Sequence, residues 1–262
     1  VPADLLARDF PGYALRWADE FDGPAGTPPD ASSWQAETGG HGWGNEELQY
    51  YTGDAGNAAL DGAGHLAITV RRAEPQDATA QRAYTSARLI TKDKVALRYG
   101  LVQARIKLPR AHGIWPAFWL LGQDFERAGW PACGEIDVME YFGTGTSLIQ
   151  GAVHGPGYCG ARGITGTRQL DGSLGRDFHV YSVGWEPGRI RWYVDGELYH
   201  AVTPADLGGR PWVFDHDFFL LLNVAVGGVA SRPPDSTTSF PQVMLVDYVR
   251  SYAPESGGTG TG

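Results

Sequence analysis

Gly134-Glu135-Ile136-Asp137-Val138-Met139-Glu140-Tyr141-Phe142-Gly143 interleaves three carboxylates with apolar residues at the spacing of a β-strand, and no other stretch of the chain does so. Side chains on a regular strand alternate faces, so Glu135 and Asp137 share one face while Glu140, five positions beyond Glu135, points to the other. One extra residue between Asp137 and Glu140, a β-bulge, corrects the parity and brings all three acids to the same face. The outer Cα atoms would then lie roughly 13 Å apart at about 3.3 Å per residue.

Two glutamates reaching toward each other can narrow that to ~5–5.5 Å, the separation at which one carboxylate attacks a sugar's anomeric carbon and the other protonates the leaving oxygen. At ~5 Å and an effective dielectric of ~20 the pair repels by about 3 kcal/mol, or roughly two pKa units. One therefore keeps its proton while its neighbour ionises. The plainer alternative is an amphipathic strand with a wet acidic face, and for an isolated E-x-D-x-x-E that alternative wins. The surroundings reverse the choice.

Trp115-Pro116-Ala117-Phe118-Trp119 and Trp130-Pro131 flank the acids. Indole rings stack on the apolar faces of sugars and donate from their N–H, which favours a binding role for Trp115, Trp119 and Trp130. Trp17, Trp34, Trp185 and Trp192 lie in alternating strands and are expected in the core. Gly40 to Tyr51 is a loop rich in glycine and amides that either lines a cleft or packs Tyr50 and Tyr51. Its adjacent Glu46 and Glu47 face opposite ways if extended, a poor catalytic pair. His154 closes the strand expected beside the acidic one, where it faces substrate or Asp137 or is structural. Asp215-His216-Asp217 has a weak metal-binding look and is more simply a solvated turn. Gly155 to Gly160 matches G-x-G-x-x-G formally, but Pro156 and the lack of a following helix argue against a dinucleotide site.

The 262 residues contain 37 Gly and 17 Pro, yet 12% are aromatic, which fits many short strands joined by tight turns. Strand-like runs recur from Tyr13 to Tyr252, among them His65 to Arg72, Tyr84 to Thr91, Leu97 to Leu108, Leu148 to His154 and Phe218 to Val226. Twelve or more strands predict an all-β sandwich, with Asp195-Gly196 as a two-residue hairpin turn and short helical turns at Pro2 to Asp9 and Pro204 to Gly208. No composition break precedes residue 255, so one domain is expected over 1–255, followed by a Gly/Thr-rich linker stump at 256–262. A net charge of −9 disfavours nucleic acid and sulfated polyanions as partners, and no apolar run approaches the ~20 residues of a membrane span. The chain starts at Val1 and reads as a mature form for which export is permitted; a monomer is expected. Cys133 and Cys159 would lie at the open end of one hairpin, as a disulfide or as two small thiols.

GEIDVMEYFG, WPAFWLL, WGN-x-ELQYYT, YTSARLIT, WADEFDG and VDYVRSY, in the family's order from Trp17 to Tyr252, together resemble glycoside hydrolase family 16 in its bacterial laminarinase branch. The resemblance implies a β-jelly-roll sandwich of two curved antiparallel sheets with a concave substrate cleft. It also implies secreted, retaining endo-hydrolysis of β-1,3-glucan, with some mixed β-1,3/1,4-glucan, and no catalytic cofactor. Glu135 would be the nucleophile, Glu140 the acid/base and Asp137 the residue that tunes the nucleophile's protonation. Asn45, Arg88, Trp115, Trp119, Trp130, His154 and Asn223 would line the cleft. A structural Ca²⁺ on the convex side would fall at Glu20, Gly64 and Asp247, largely through backbone oxygens. Agarases and carrageenases share the inserted residue of the acidic motif, and a non-catalytic glucan-binding sandwich is a further alternative. Glu46 stands where the laminarinase pattern has Asn, with altered sugar affinity expected if its charge reaches the substrate.

Overall fold

The computed structural model describes residues 3–73, 82–172 and 174–255; the expected linker at 256–262 lies outside them. In chain order the strands are β1 (Tyr13–Asp19), β2 (Gln35–Glu37), β3 (Gln49–Tyr51), β4 (Ala58–Leu60), β5 (Leu66–Arg72), β6 (Tyr84–Ser86), β7 (Arg88–Ile90), β8 (Gly100–Lys107), β9 (Ile114–Gly122), β10 (Glu135–Glu140), β11 (Leu148–His154), β12 (Ile164–Gln169), β13 (His179–Glu186), β14 (Arg189–Val194), β15 (Glu197–Val202), β16 (Phe218–Val226) and β17 (Gln242–Pro254). They form two sheets. The smaller runs β12-β11-β10-β9-β16-β7-β2; the larger runs β15-β14-β13-β8-β17-β5-β6-β3, with β1 on β17 and β4 on β5. Each sheet turns one face inward, and Ile136, Met139, Leu220 and Leu222 from the smaller meet Ala104, Val183, Trp185 and Trp192 from the larger in one core. The expected β-sandwich is thus present.

Three features position the site. First, β10 pairs with β11 as Asp137↔Ala152 and then Glu140↔Gln150, and with β9 as Asp137↔Trp119 and then Met139↔Phe118. Val138 is therefore the inserted residue of a one-residue bulge, as the parity of the acids requires. Second, Pro116 sits in a central strand, where a missing N–H is normally excluded. Here it lies one step beyond the last β9–β10 pair, Glu140↔Ala117, where the neighbouring strand has ended. Third, the run expected as one strand from Tyr84 to Thr91 divides at fully buried Ala87, with β6 in the larger sheet and β7 in the smaller. Ser86 Oγ donates to the Val224 carbonyl at 2.6 Å and pins this crossing, which carries Arg88 to the cleft.

Pairing is antiparallel except for β3 with β6. The Asp195-Gly196 turn has positive φ at both residues, 51° and 84°, as a type I′ hairpin needs. Short helices occupy Ala3–Asp9 and Pro204–Leu207 as expected, and two more, at Phe125–Ala128 and Gly160–Arg162, were not signalled by periodicity. Trp34, Trp185 and Trp192 are buried and Trp17 packs against the core. Cys133 and Cys159 are free thiols. No helix among the described residues is long and apolar enough to cross a membrane.

Candidate active site

Glu135, Asp137 and Glu140 line one cleft of about 460 Å³ on the face of the smaller sheet opposite the core. β2, β7, β16, β9 and β10 supply its floor in spatial order, Glu37 at one side and Glu135 at the other, and residues such as Trp43, Asn45, Phe125 and Trp130 from the connecting segments supply the rest of the lining. Five adjacent strands span about 19 Å at the usual strand spacing, a groove for a polymer segment rather than a single sugar.

Each glutamate has one oxygen held by an indole. Trp130 Nε1 donates to Glu135 Oε2 at 2.7 Å, and Trp115 Nε1 donates to Glu140 Oε1 at 3.0 Å, with Gln150 Nε2 near Glu140 Oε2 at 3.4 Å. The Glu135 and Asp137 carboxyls are close neighbours, with an oxygen of each and a ring nitrogen of His154 all within 4.8 Å of one another. His154 Nε2 lies 3.0 Å from Asp137 Oδ2 and 3.9 Å from Glu135 Oε1. Burial pushes the Glu135 carboxyl up to about 8, and the Asp137 charge adds to it, while His154 and the Trp130 N–H pull it down. Burial and then the Glu135 charge raise Glu140 to about 7, opposed by His154, Trp115 and Gln150. Asp137 is also raised, by burial first and then by Glu140. With all three raised, the acids resist ionising together, which is what acid–nucleophile chemistry needs.

Of the other residues singled out by sequence, Asn45, Arg88, Trp115, Trp119, Trp130 and Asn223 line the cleft. His154 is buried beside Asp137 and is not among the lining residues. Arg88 pairs with Glu37 and lies between the Trp43 and Trp119 rings, 4.8 Å from each centroid. Trp119 Nε1 donates to Asn223 Oδ1 at 2.7 Å, Asn223 Nδ2 to Tyr51 Oη at 3.0 Å, and Tyr51 Oη to Glu47 Oε2 at 3.1 Å. Glu47, 3% exposed, also accepts from Gln49 and Asn45.

The loop from Gly40 to Tyr51, left open between lining a cleft and packing Tyr50 and Tyr51, lines the cleft with His41, Trp43, Gly44, Asn45 and Glu47, while Glu37 and Phe125 were missed. For Glu47 a signal existed, because Glu47, Gln49 and Tyr51 alternate onto one face. Glu46 is exposed, with φ of 58°, and does not line the cleft. Asp215 accepts from Tyr99 and Trp212, Asp217 from Arg98, and His216 faces Asp124, so the acidic turn is a set of polar pairs.

Among the described residues one group of His, Cys, Asp or Glu has the spacing to hold a metal ion: atoms of Glu135, Asp137 and His154 lie within 4.8 Å of one another. At the positions expected for calcium, Glu20 accepts two hydrogen bonds from Arg250, both 2.7 Å, and Asp247 Oδ2 accepts from Arg105 at 2.7 Å. The Glu20 carboxylate is thus fully engaged, and a cation there would rest on main-chain oxygens and the remaining Asp247 oxygen.

A β-sandwich with three neighbouring carboxyls in an indole-walled groove defines a carbohydrate-cleaving class of protein. The profile of "Glycosyl hydrolases family 16" matches residues 45–244. The beta-glucanase of Rhodothermus marinus is 41% identical, over 92% of this chain and 86% of that one. Among solved structures, the endo-beta-1,3-glucanase from Pyrococcus furiosus superposes with a TM-score of 0.88 at 44% identity, covering 95% of this chain and 97% of that one. The laminarinase catalytic domain from Thermotoga maritima MSB8 gives 0.87 at 43% identity, covering 94% and 100%. The chain belongs to glycoside hydrolase family 16, and its sandwich is that family's jelly roll.

Proposed function

We propose that this protein is a retaining endo-β-1,3-glucanase in which Glu135 is the nucleophile and Glu140 the general acid/base. The observation that carries the proposal is the single inserted residue at Val138, which puts Glu140 into the same groove as Glu135. Glu140 donates its proton to the glycosidic oxygen as that oxygen's bond to the anomeric carbon breaks, and Glu135 bonds to the carbon. Glu140, now a carboxylate, takes a proton from water, whose oxygen displaces Glu135. Trp130 and Trp115 each fix one carboxyl oxygen, and the other oxygen of Glu140, held only by the longer 3.4 Å contact with Gln150, is the one available for these steps. Asp137, beside Glu135, takes its proton when Glu135 must be ionised.

The names of the similar enzymes support β-1,3-glucan as substrate, and the groove's width across five strands supports internal attack. We place the protein outside the cell, because such a polymer does not cross a membrane, and propose that it acts as a monomer. A structural calcium ion would be held by the Glu20 and Gly64 main-chain oxygens and by Asp247, oxygen donors of the type Ca²⁺ takes. The test is incubation with laminarin, barley glucan and agarose, with reducing ends counted and product anomers followed by NMR. Release of β-configured products from laminarin is expected; agarose cleavage, or laminarin binding without products, overturns the reading.

A further inference from the structure

The bulge that aims Glu140 is contacted from behind by the other sheet. Trp192, on β14 and fully buried, donates its indole N–H to the main-chain carbonyl of Asp137 at 2.7 Å. A carbonyl in a regular ladder lies in the plane of its own sheet; this one reaches a donor in the facing sheet at the residue where the register of β10 shifts. The approach needs space that two glycines supply. Gly151 of β11 and Gly166 of β12 are direct cross-strand partners. A Cβ on Gly151 would come within 2.4 Å of Trp192 Cδ1 and 2.6 Å of Tyr199 Oη, and one on Gly166 within 2.2 Å of His200 Cγ. Together they leave a window in the floor of the smaller sheet.

What enters the window is itself set by an irregularity. The β14–β15 pairing passes from Trp192↔His200 to Tyr193↔Leu198, so Tyr199 is an inserted residue. Successive residues Tyr199 and His200 therefore both turn toward the glycine pair instead of alternating, and the His200 ring lies 4.8 Å from the Trp192 ring. A bulge in one sheet thus stands against a bulge in the other, joined by one hydrogen bond.

We propose that Trp192 is a positioning residue for catalysis: its N–H holds the Asp137 carbonyl out of the sheet plane and so fixes the bulge that directs Glu140 toward Glu135. The bulk of the indole belongs to the core; the hydrogen bond belongs to the site. This inference rests on the assignment of Glu135 and Glu140 as the working pair.

The test is Trp192→Phe, which keeps an aromatic ring and removes the donor, assayed on laminarin beside wild type. A fall in kcat of tenfold or more with KM within twofold is expected, because substrate contacts are untouched while the acid is misaimed. A folded variant with kcat within twofold of wild type overturns the proposal. A second arm needs no turnover: in protein carrying ¹⁵N-labelled tryptophan, the Trp192 indole resonance is expected to shift in Glu140→Gln, and an unmoved resonance overturns the proposal even where Trp192→Phe fails to fold. Wild-type inactivity on laminarin would instead count against the assignment of function, leaving the indole measurement to decide the role of Trp192.

Discussion

Trp130 and Glu135 are joined by a 2.7 Å hydrogen bond in which an indole at the exposed rim of the groove holds one oxygen of a half-buried carboxyl. The bond stabilises the ionised form, so removing it raises a pKa that already stands near 8. Trp130→Phe should therefore move the acidic limb of the kcat/KM profile to higher pH and lower activity by about tenfold at neutral pH. An unshifted limb would show that Trp130 serves stacking alone.

Glu135→Gln and Glu140→Gln should fold normally and lose kcat by about 10³-fold or more. Azide separates the roles. A small residue at 135 should give the glycosyl azide of inverted configuration, and one at 140 the retained configuration; the opposite pairing would exchange the two assignments.

The same carboxyls set a stability cost with a definite sign. Glu135 titrates near 8 in the folded protein against about 4.3 when unfolded. The folded state thus binds its proton more tightly, and the stabilisation this provides is complete below about pH 4 and lost as pH rises through 8. Glu135→Gln should then raise Tm relative to wild type by a few degrees at pH 8.5, corresponding to about 1–2 kcal/mol, with the gain vanishing at pH 4. The Glu135 side chain keeps 16% exposure, which tempers the size of the effect. Thermal melts at the two pH values check it, and an equal gain at both would refute the electrostatic origin.

Glu46 occupies left-handed backbone, φ 58°, outside the cleft. An expected influence on sugar affinity is replaced by a conformational one, because Asn tolerates this region better than Glu. Glu46→Asn should stabilise the protein by about 0.5–1 kcal/mol and leave KM for laminarin unchanged, as denaturant titration and steady-state assays would show.

Calcium at the Glu20, Gly64 and Asp247 end would tie the N-terminal and C-terminal strands. Chelation should lower Tm by several degrees, with calcium restoring it, while kcat at moderate temperature stays constant. An unaltered melt would leave the Arg250–Glu20 and Arg105–Asp247 ion pairs as the fastening of that end.

Long runs such as Leu148–His154 and Phe218–Val226 were legible residue by residue, since seven or nine predominantly apolar positions bounded by glycine, serine or aspartate have the length and the punctuation of a strand. The three-residue strands Gln35–Glu37 and Ala58–Leu60 were not, because so short a run carries no period. The polar edge strand Ile164–Gln169 was missed for want of a buried face.

The order of residues alone determined that an irregularity must lie between Asp137 and Glu140 if the acids are to meet, because alternation along an extended chain is a local steric rule that a five-residue interval violates. It could not determine what holds that irregularity in place or which distant groups set the acids' protonation. His154 beside Asp137, the Trp119–Asn223–Tyr51–Glu47 chain of hydrogen bonds and the Trp192 indole behind the bulge are contacts between strands far apart in sequence. Only the packing of one sheet on the other, through a gap left by two glycines, brings the last of these within reach.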